Sequence, residues 1–185
     1  MKKSRKPRTA WAITGSGHYL KECLDLVQQR SDVDLFLSKA AAEVLAMYDF
    51  DLKSLRERMT CFRDTTASAS PVGLFYHGHY ERLVIAPATS NTVAKMVWGV
   101  ADTLVTNIYA QAGKCRIPSI VFACDTEPAM QTEAPDGMVM VYPRRIDLEN
   151  MQRLGEFEYT RVVTSFSQLR NALEDASECQ SRSFS

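Results

Sequence analysis

A short apolar run at the centre of the sequence constrains the fold more than any other feature. The residues from Leu83 to Ala86 are all apolar, which is typical of a strand covered on both faces in a parallel sheet. Pro87 is expected to end this strand, and Ala88–Thr92 are expected to form a loop of small and polar side chains. Apolar residues then recur at helical spacing, which predicts a helix with one apolar face: Val93, Met96, Val97 and Val100. A second apolar run, Ile117–Ala123, predicts the next buried strand.

The beginning of the sequence shows the same order of strand, turn and helix. Trp11–Ile13 predict a strand, Thr14–His18 a turn with two glycines, and the residues from about Tyr19 a helix. One face of this helix is apolar: Leu20, Cys23, Leu24 and Val27. Glycines allow backbone N–H groups to approach a phosphate, and a helix N-terminus favours its negative charge. The turn Gly15-Ser16-Gly17 is therefore a candidate phosphate site.

A dinucleotide site is the obvious competitor for this turn. It would require a third glycine near position 20, where the chain has Leu20, and an acidic residue after the second strand. The second predicted strand, Val33–Leu37, is followed instead by Ser38 and Lys39. A hydroxyl and an ammonium group suit a phosphate better than a ribose diol. We therefore predict a mononucleotide phosphate between the first turn and Ser38, with two ordinary strand-to-helix turns as the alternative.

These strands and helices predict an α/β fold: a three-layer Rossmann-like (flavodoxin-like) parallel sheet with helices on both faces. The chain has 185 residues, which fits one domain. We place this domain at residues 9–178, between a basic N-terminal tail (1–8) and a polar C-terminal tail (179–185). Sheets of this kind bind ligands at the carboxyl ends of their strands, where the polar turns are predicted.

Composition excludes several classes of partner and site. The formal net charge is zero, which argues against nucleic acid, and no apolar stretch is long enough to span a membrane. The five cysteines include no Cys-x-x-Cys pair, so we expect neither a zinc ribbon nor an iron–sulfur cluster. Their odd number and the lack of a secretion signal predict reduced thiols in the cytoplasm. His77 and His79 could share a strand face, but they lack a third ligand at a recognisable spacing, so we expect no metal site.

The central segment resembles a known signature. The residues from Pro87 to Lys95 (PATSNTVAK), followed by Gly99–Asp102 and Asn107, resemble the FMN-binding flavoprotein superfamily. That superfamily includes cysteine decarboxylases, flavin prenyltransferases and the archaeoflavoprotein/dihydromethanopterin reductase group. The resemblance extends, more weakly, from about Trp11 to about Ala123. It implies that FMN is the cofactor and that the following residues hold it or support its loops: Gly15, Ser16, Gly17, Ser38, Lys39, Ala88, Thr89, Ser90, Asn91, Thr92 and Asn107.

Differences from the decarboxylases favour the reductase branch. The decarboxylases have a histidine near the position of Leu74 and a Pro-x-Met-Asn motif after the next strand, where this chain has Asp125–Gln131. The segment Gly15–Glu22 (GSGHYLKE) resembles the first loop of the dihydromethanopterin reductase group instead. The resemblance implies an FMN-dependent oxidoreductase that passes a hydride from reduced FMN to a dihydropterin such as dihydromethanopterin. A flavin-dependent decarboxylase of a cysteine-containing substrate and a non-catalytic flavin carrier are the alternatives.

Such a reductase needs a proton donor and an electron donor. His18, His77 and Tyr109 are the candidate catalytic residues, because imidazole and phenol groups can give a proton to a pterin. The chain has no ferredoxin-like cysteine cluster, so we expect an external electron donor. The resembling family forms trimers around shared flavin sites, in some members closed into shells, which implies a homo-oligomer here.

Overall fold

The computed structural model describes residues 8–66 and 69–181, with side chains up to residue 175. Within these residues the strands are β1 (Arg8–Ile13), β2 (Val33–Leu37), β3 (Cys61–Arg63), β4 (Tyr80–Ala88), β5 (Ser119–Ala123), β6 (Met130–Ala134), β7 (Gly137–Val141) and β8 (Thr160–Val163). The α-helices are α1 (Leu20–Gln28), α2 (Lys39–Met47), α3 (Leu52–Arg58), α4 (Gly73–Tyr76), α5 (Ser90–Val97), α6 (Leu104–Lys114), α7 (Arg145–Leu154) and α8 (Phe166–Ser181). A 3-10 turn, Ser70–Val72, precedes α4.

Six strands form one parallel sheet in the order β3-β2-β1-β4-β5-β8. The chain runs outward from β1 through β2 to β3, returns to β4, and then runs outward on the other side through β5 to β8. Strands β1 and β4 therefore flank the switch point of the sheet, which is where open α/β sheets bind ligands. The remaining strands, β6 and β7, form a separate antiparallel hairpin.

Helices cover both faces of the sheet, and this confirms the predicted flavodoxin-like α/β fold. Successive residues of a strand point to opposite faces. Leu83 and Ile85 of β4 accordingly pack in one buried cluster with residues of α5 and α6, while Val84 lies in a second cluster with residues of α1, α2 and α8. Each fully buried aliphatic side chain of this kind contributes roughly 1.5–3 kcal/mol to folding.

The central segment differs from its prediction. Strand β4 does not end at Pro87 but continues to Ala88, and the pairing with β5 shifts register between Ile85 and Ala88. This irregularity accommodates a residue that has no N–H group. The prediction of a loop over Ala88–Thr92 is also wrong beyond Thr89, because α5 begins at Ser90. The Thr89 hydroxyl caps this helix by accepting a hydrogen bond from the Thr92 amide.

Other boundaries differ as well. Arg8, which we assigned to the tail, begins β1, and its guanidinium donates to the Asp34 carboxylate at 3.0 and 2.7 Å. Val100 lies beyond the end of α5 and is exposed, not part of the apolar helix face. The tail residues 1–7 and 182–185 lie outside the described residues. No helix in the described part of the chain is long and apolar enough to cross a membrane.

Candidate functional site

A cavity of about 430 Å³ opens at the carboxyl ends of the strands, beside the switch point. Its size is within the range of small-molecule sites in proteins. Its walls come from the turns that follow β1, β2, β3 and β4 and from the region between α5 and α6: Thr14, Gly15, Ser38, Lys39, Ala40, Asp64, Thr65, Thr66, Thr89, Asn91, Thr92, Lys95, Asp102, Thr103 and Val105. The fold therefore brings together residues that are distant in sequence.

Three helices begin at this cavity, each with a hydroxyl side chain as its N-cap. Ser38 accepts a hydrogen bond from the Ala41 amide at 3.0 Å at the start of α2. Thr89 and Thr103 play the same role for α5 and α6, accepting from amides three residues later at 3.4 and 3.2 Å. Helix N-termini present free N–H groups and the positive end of the helix dipole. Three of them at one cavity favour an anionic ligand such as a phosphate.

Thr14 fixes the turn after β1 to the turn after β4. Its hydroxyl donates to the Pro87 carbonyl at 2.9 Å and accepts from the Thr89 amide at 2.9 Å. The next residue, Gly15, lies so close to the start of α2 that an added Cβ would be 2.5 Å from the Ala40 Cβ. Glycine at this position therefore permits the close approach of the two turns that form one wall of the cavity.

Among the described residues, the charged side chains on the cavity wall are two lysines and two aspartates. Lys39 is exposed at the start of α2, and Asp64 follows β3. Lys95 Nζ lies 2.8 Å from both carboxylate oxygens of Asp102. The hydrogen bond from Lys95 holds the pKa of Asp102 below its ordinary value, so the aspartate is ionised at neutral pH.

Six of the residues predicted to hold a cofactor line this cavity: Gly15, Ser38, Lys39, Thr89, Asn91 and Thr92. The others lie behind the wall or beside it. Ala88 is buried in β4, and Ser90 donates a short hydrogen bond to Asp125. Asn107 does not contact the central loop by a hydrogen bond, but donates to the Thr103 carbonyl at 2.9 Å within its own helix.

Ser16 and Gly17 also lie outside the cavity wall, in the turn after β1. An added Cβ on Gly17 would be 1.9 Å from the Tyr48 hydroxyl oxygen, so this glycine makes room for an aromatic side chain. The Ser16 side chain lies near the Cys124 thiol. Burial raises the pKa of that thiol to about 12, which excludes Cys124 as a thiolate nucleophile at neutral pH.

Part of the cavity wall was not predicted from the sequence: Asp64–Thr66, Lys95 and Thr103. A signal for Thr103 was present, because Thr103 and Thr106 have the three-residue spacing of a capping box and form one. Asp64–Thr66 gave no such signal, since β3 has only three residues and was not predicted.

His18 lies at the carboxyl edge of the sheet, in the turn between β1 and α1. Its Nε2 atom is buried and has no hydrogen-bond partner among the described residues. Burial lowers the pKa of His18, and the nearby carboxylates of Glu22, Asp125 and Glu133 oppose this effect. The imidazole is therefore mostly neutral at pH 7. It does not line the cavity itself.

His77 and Tyr109, the other two candidate catalytic residues, lie at the opposite edge. His77 is exposed and follows α4, three residues before β4 begins. The Tyr109 hydroxyl lies 2.8 Å from Oγ1 of Thr160, the first residue of β8. Because all six strands are parallel, the amino ends of β4 and β8 are a full strand length away from the cavity. We therefore no longer place His77 and Tyr109 in the site that their own chain forms.

The described residues contain no group of three or more His, Cys, Asp and Glu side chains that could hold a metal ion. His79 is partly buried, and its backbone carbonyl accepts a hydrogen bond of 3.1 Å from the amide of Arg8, the first residue of β1. Besides its two aspartates, the cavity offers hydroxyls, amides, two lysines and three helix N-termini, a set that suits a phosphorylated organic ligand.

Several known proteins are similar to this chain in sequence or in structure. DmrB of Burkholderia xenovorans, solved in complex with FMN and described as a cubic protein cage for redox transfer, is 50% identical, with a TM-score of 0.89 over 96% of this chain and 99% of that one. Dihydromethanopterin reductase (acceptor) of Methanosarcina mazei is 38% identical over 141 residues, 69% of this chain and 59% of that one. The matched region is thus less than two thirds of that reductase.

The FMN-dependent cysteine decarboxylase TvaF of thioviridamide biosynthesis is 19% identical, with a TM-score of 0.66 over 94% of this chain and 99% of that one. At this identity the likeness shows a shared fold and nothing about chemistry. The Flavoprotein family model matches residues 1–181. The chain is therefore a member of the Flavoprotein family, as its central segment predicted.

Proposed function

We propose that this protein binds FMN in the cavity and uses it to reduce a dihydropterin, with dihydromethanopterin as the first candidate, to the tetrahydropterin. The observation that supports this most strongly is the 50% identity, over nearly the whole chain, to DmrB in complex with FMN. The similarity to a dihydromethanopterin reductase supports the choice of substrate. The decarboxylase alternative rests on a shared fold alone.

The residues at the cavity fit FMN. Ser38, Lys39 and the N-terminus of α2 would hold the phosphate. Asn91 and Thr92 offer an amide and a hydroxyl for the polar edge of the ring, while the Ala40 and Val105 side chains supply apolar contact. Bound FMN would supply the hydride chemistry. The protein itself would bind and orient the two reactants and keep water from the reacting atoms.

Reduction of a dihydropterin C=N bond requires a proton on nitrogen as well as a hydride on carbon. Of the three histidines in the chain, His18 is the one at the carboxyl edge, three residues after Gly15 of the cavity wall. Its surrounding carboxylates make proton uptake easier than burial alone would allow. We retain His18 as the proton donor of this proposal. An external donor would reduce the flavin between turnovers.

We also propose that the protein is a homo-oligomer built from trimers that close into a shell. The similar DmrB is a cubic cage. Strand β7 exposes Met138, Val139 and Met140, and Tyr142 follows them at 75% exposure. Exposed apolar side chains in a contiguous segment are typical of protein–protein contacts. In such an assembly a neighbouring copy would complete each site.

The test is an anaerobic single-turnover experiment. The purified protein is loaded with FMN, reduced with a stoichiometric amount of dithionite and mixed with dihydromethanopterin. We expect the oxidised flavin absorbance to return as one equivalent of tetrahydropterin forms. If the pterin does not reoxidise the reduced flavin, the result would contradict the reductase proposal and leave a non-catalytic flavin carrier as the candidate function. In a separate reaction, a peptide with a C-terminal cysteine is mixed with the protein carrying oxidised FMN, because that reaction needs the flavin as the electron acceptor; release of CO2 would establish the decarboxylase instead.

A further inference from the structure

The cavity wall carries one ion pair, which the binding of FMN does not require. Lys95, in the last turn of α5, donates to both oxygens of Asp102, which lies in the segment between α5 and α6. The lysine side chain is 37% exposed and the aspartate side chain 54% exposed. Both side chains line the cavity. The ion pair therefore faces the space that the ligand would occupy.

The two lysines of the cavity wall differ in how their charges are compensated. Among the described residues, Lys39 makes no ion pair within 4 Å, and it stands next to the Ser38 cap. Lys95 is held by a carboxylate at two contacts of 2.8 Å. A free ammonium group suits the phosphate, which keeps its charge throughout turnover. A compensated ammonium group adds little net charge, and its contribution depends on the state of its partner.

The charge of the flavin ring changes during turnover. Adding two electrons and one proton to oxidised FMN leaves the ring with one more negative charge. A cation near the ring stabilises that reduced form more than the oxidised form, and so raises the reduction potential. A carboxylate bound to the cation opposes this effect.

We propose that Lys95 and Asp102 together set the reduction potential of the bound flavin, with Asp102 keeping the potential low by neutralising Lys95. A low potential favours transfer of the hydride from the flavin to the acceptor. Asp102 is then a positioning residue, which acts through Lys95. The inference depends on the cavity being the flavin site, but not on the pterin being the acceptor.

A purely structural role would give a different result. The ion pair also joins α5 to the segment before α6, and it could serve only to hold the wall in place. Removal of either partner would then weaken the binding of oxidised and reduced FMN equally, and the potential would not change. An electrostatic role requires that the two single variants move the potential in opposite directions.

The experiment measures the midpoint potential of bound FMN, and the affinities for both of its oxidation states, in the full-length protein at low ionic strength. Asp102→Asn is expected to tighten the binding of reduced FMN about tenfold relative to oxidised FMN, which corresponds to a rise of about 30 mV for a two-electron couple. Lys95→Gln is expected to lower the potential by a similar amount. The double variant should return close to the wild-type value.

Asp175→Asn is the matched control, because Asp175 forms an exposed ion pair with Arg161 of β8 and does not line this cavity. It changes the net charge by the same amount and should leave the potential unchanged. Equal potentials in the wild type and Asp102→Asn, or equal loss of affinity for both oxidation states, would overturn the proposal. No pterin is present, so failure here is independent of failure in the turnover assay.

Discussion

At the scale of single residues, the site depends on small groups that permit close approach. Gly15 is an example, because the turn after β1 and the first turn of α2 meet at this position. Thr14 beside it joins the turns after β1 and β4 through two hydrogen bonds of 2.9 Å. These contacts set the width of the cavity.

Gly15→Ala tests this arrangement. The new methyl group would lie 2.5 Å from the Ala40 Cβ, so the turn must move away from α2. We expect a loss of about 1–3 kcal/mol in the free energy of unfolding from overpacking. We also expect the affinity for FMN, measured by fluorescence titration, to fall at least about tenfold, or about 1.4 kcal/mol.

Gly113→Ala provides the comparison. Gly113 lies in α6, and an added Cβ there meets nothing within 4 Å. This change should stabilise the protein by about 0.4–1 kcal/mol through the unfolded state and leave FMN affinity unaltered. Equal affinity in the two variants would show that the approach of Gly15 to α2 does not shape the flavin site.

At the scale of secondary-structure elements, the attraction of the cavity for an anion comes from the backbone as well as from side chains. Helices α2, α5 and α6 all begin at its wall. A charge in the first turn of a helix gains roughly 0.3–1 kcal/mol from the dipole at an exposed site. In the proposed site, the N-terminus of α2 therefore contributes to phosphate binding together with Lys39.

Thr89→Val tests the contribution of one of these helix ends. The change removes the hydroxyl that caps α5 and lines the cavity while keeping the shape of the side chain. We expect a loss of about 1 kcal/mol in unfolding free energy from the lost cap. A lost hydrogen bond to the ligand, roughly 0.5–1.5 kcal/mol, should weaken FMN binding about fivefold.

Asp51→Ala serves as the control for this variant. Asp51 caps α3 through the Lys53 and Ser54 amides at 2.8 and 3.3 Å, and it does not line the cavity. Denaturant titration should show a stability loss similar to that of Thr89→Val, whereas calorimetry should show wild-type FMN affinity. Equal weakening of FMN binding in both variants would mean that global stability, not the cap at the cavity, determines affinity.

At the scale of the whole molecule, the parallel sheet separates two edges with different properties. The carboxyl edge holds the cavity and His18, while the amino edge holds His77 and the Tyr109–Thr160 contact. The hairpin of β6 and β7 is hydrogen-bonded to the rest of the chain through the Tyr48 hydroxyl, which donates to the Glu133 carbonyl at 3.2 Å. Its exposed apolar side chains are the proposed contact with another copy of the chain.

The proposed assembly predicts a large particle in solution. Mass photometry of the wild type should show a multimer of trimers. Met138 and Met140 lie two residues apart on β7 and are 59% and 52% exposed, so they share one face. Met138→Glu/Met140→Glu should reduce the particle to smaller species, because two carboxylates cannot be buried there without partners.

Tyr76→Glu is the comparison for the assembly. Tyr76 is 64% exposed at the end of α4, on the amino side of the sheet, and this variant should keep the wild-type mass. A monomeric wild type at micromolar concentration would contradict the assembly itself. Unchanged mass in the hairpin variant would contradict the role of β7.

The sequence by itself determined the fold class, the buried strands and the turns that carry the site. These properties are local. An apolar run such as Leu83–Ala86 indicates a strand that is buried on both faces, and a hydroxyl residue before a helical pattern indicates the N-cap of a helix. Strand β2 was predicted at its observed bounds, Val33–Leu37. Six cavity residues followed from the same local patterns and from the family resemblance.

The tertiary structure decided which of these residues share a cavity. Sheet order is a long-range property, so the sequence could not place His77 and Tyr109 at the edge opposite to Gly15 and Thr89. The sequence also did not predict that Lys95 pairs with Asp102 or that Asp64 lies on the cavity wall. Such contacts depend on how distant segments pack, and no local pattern encodes them.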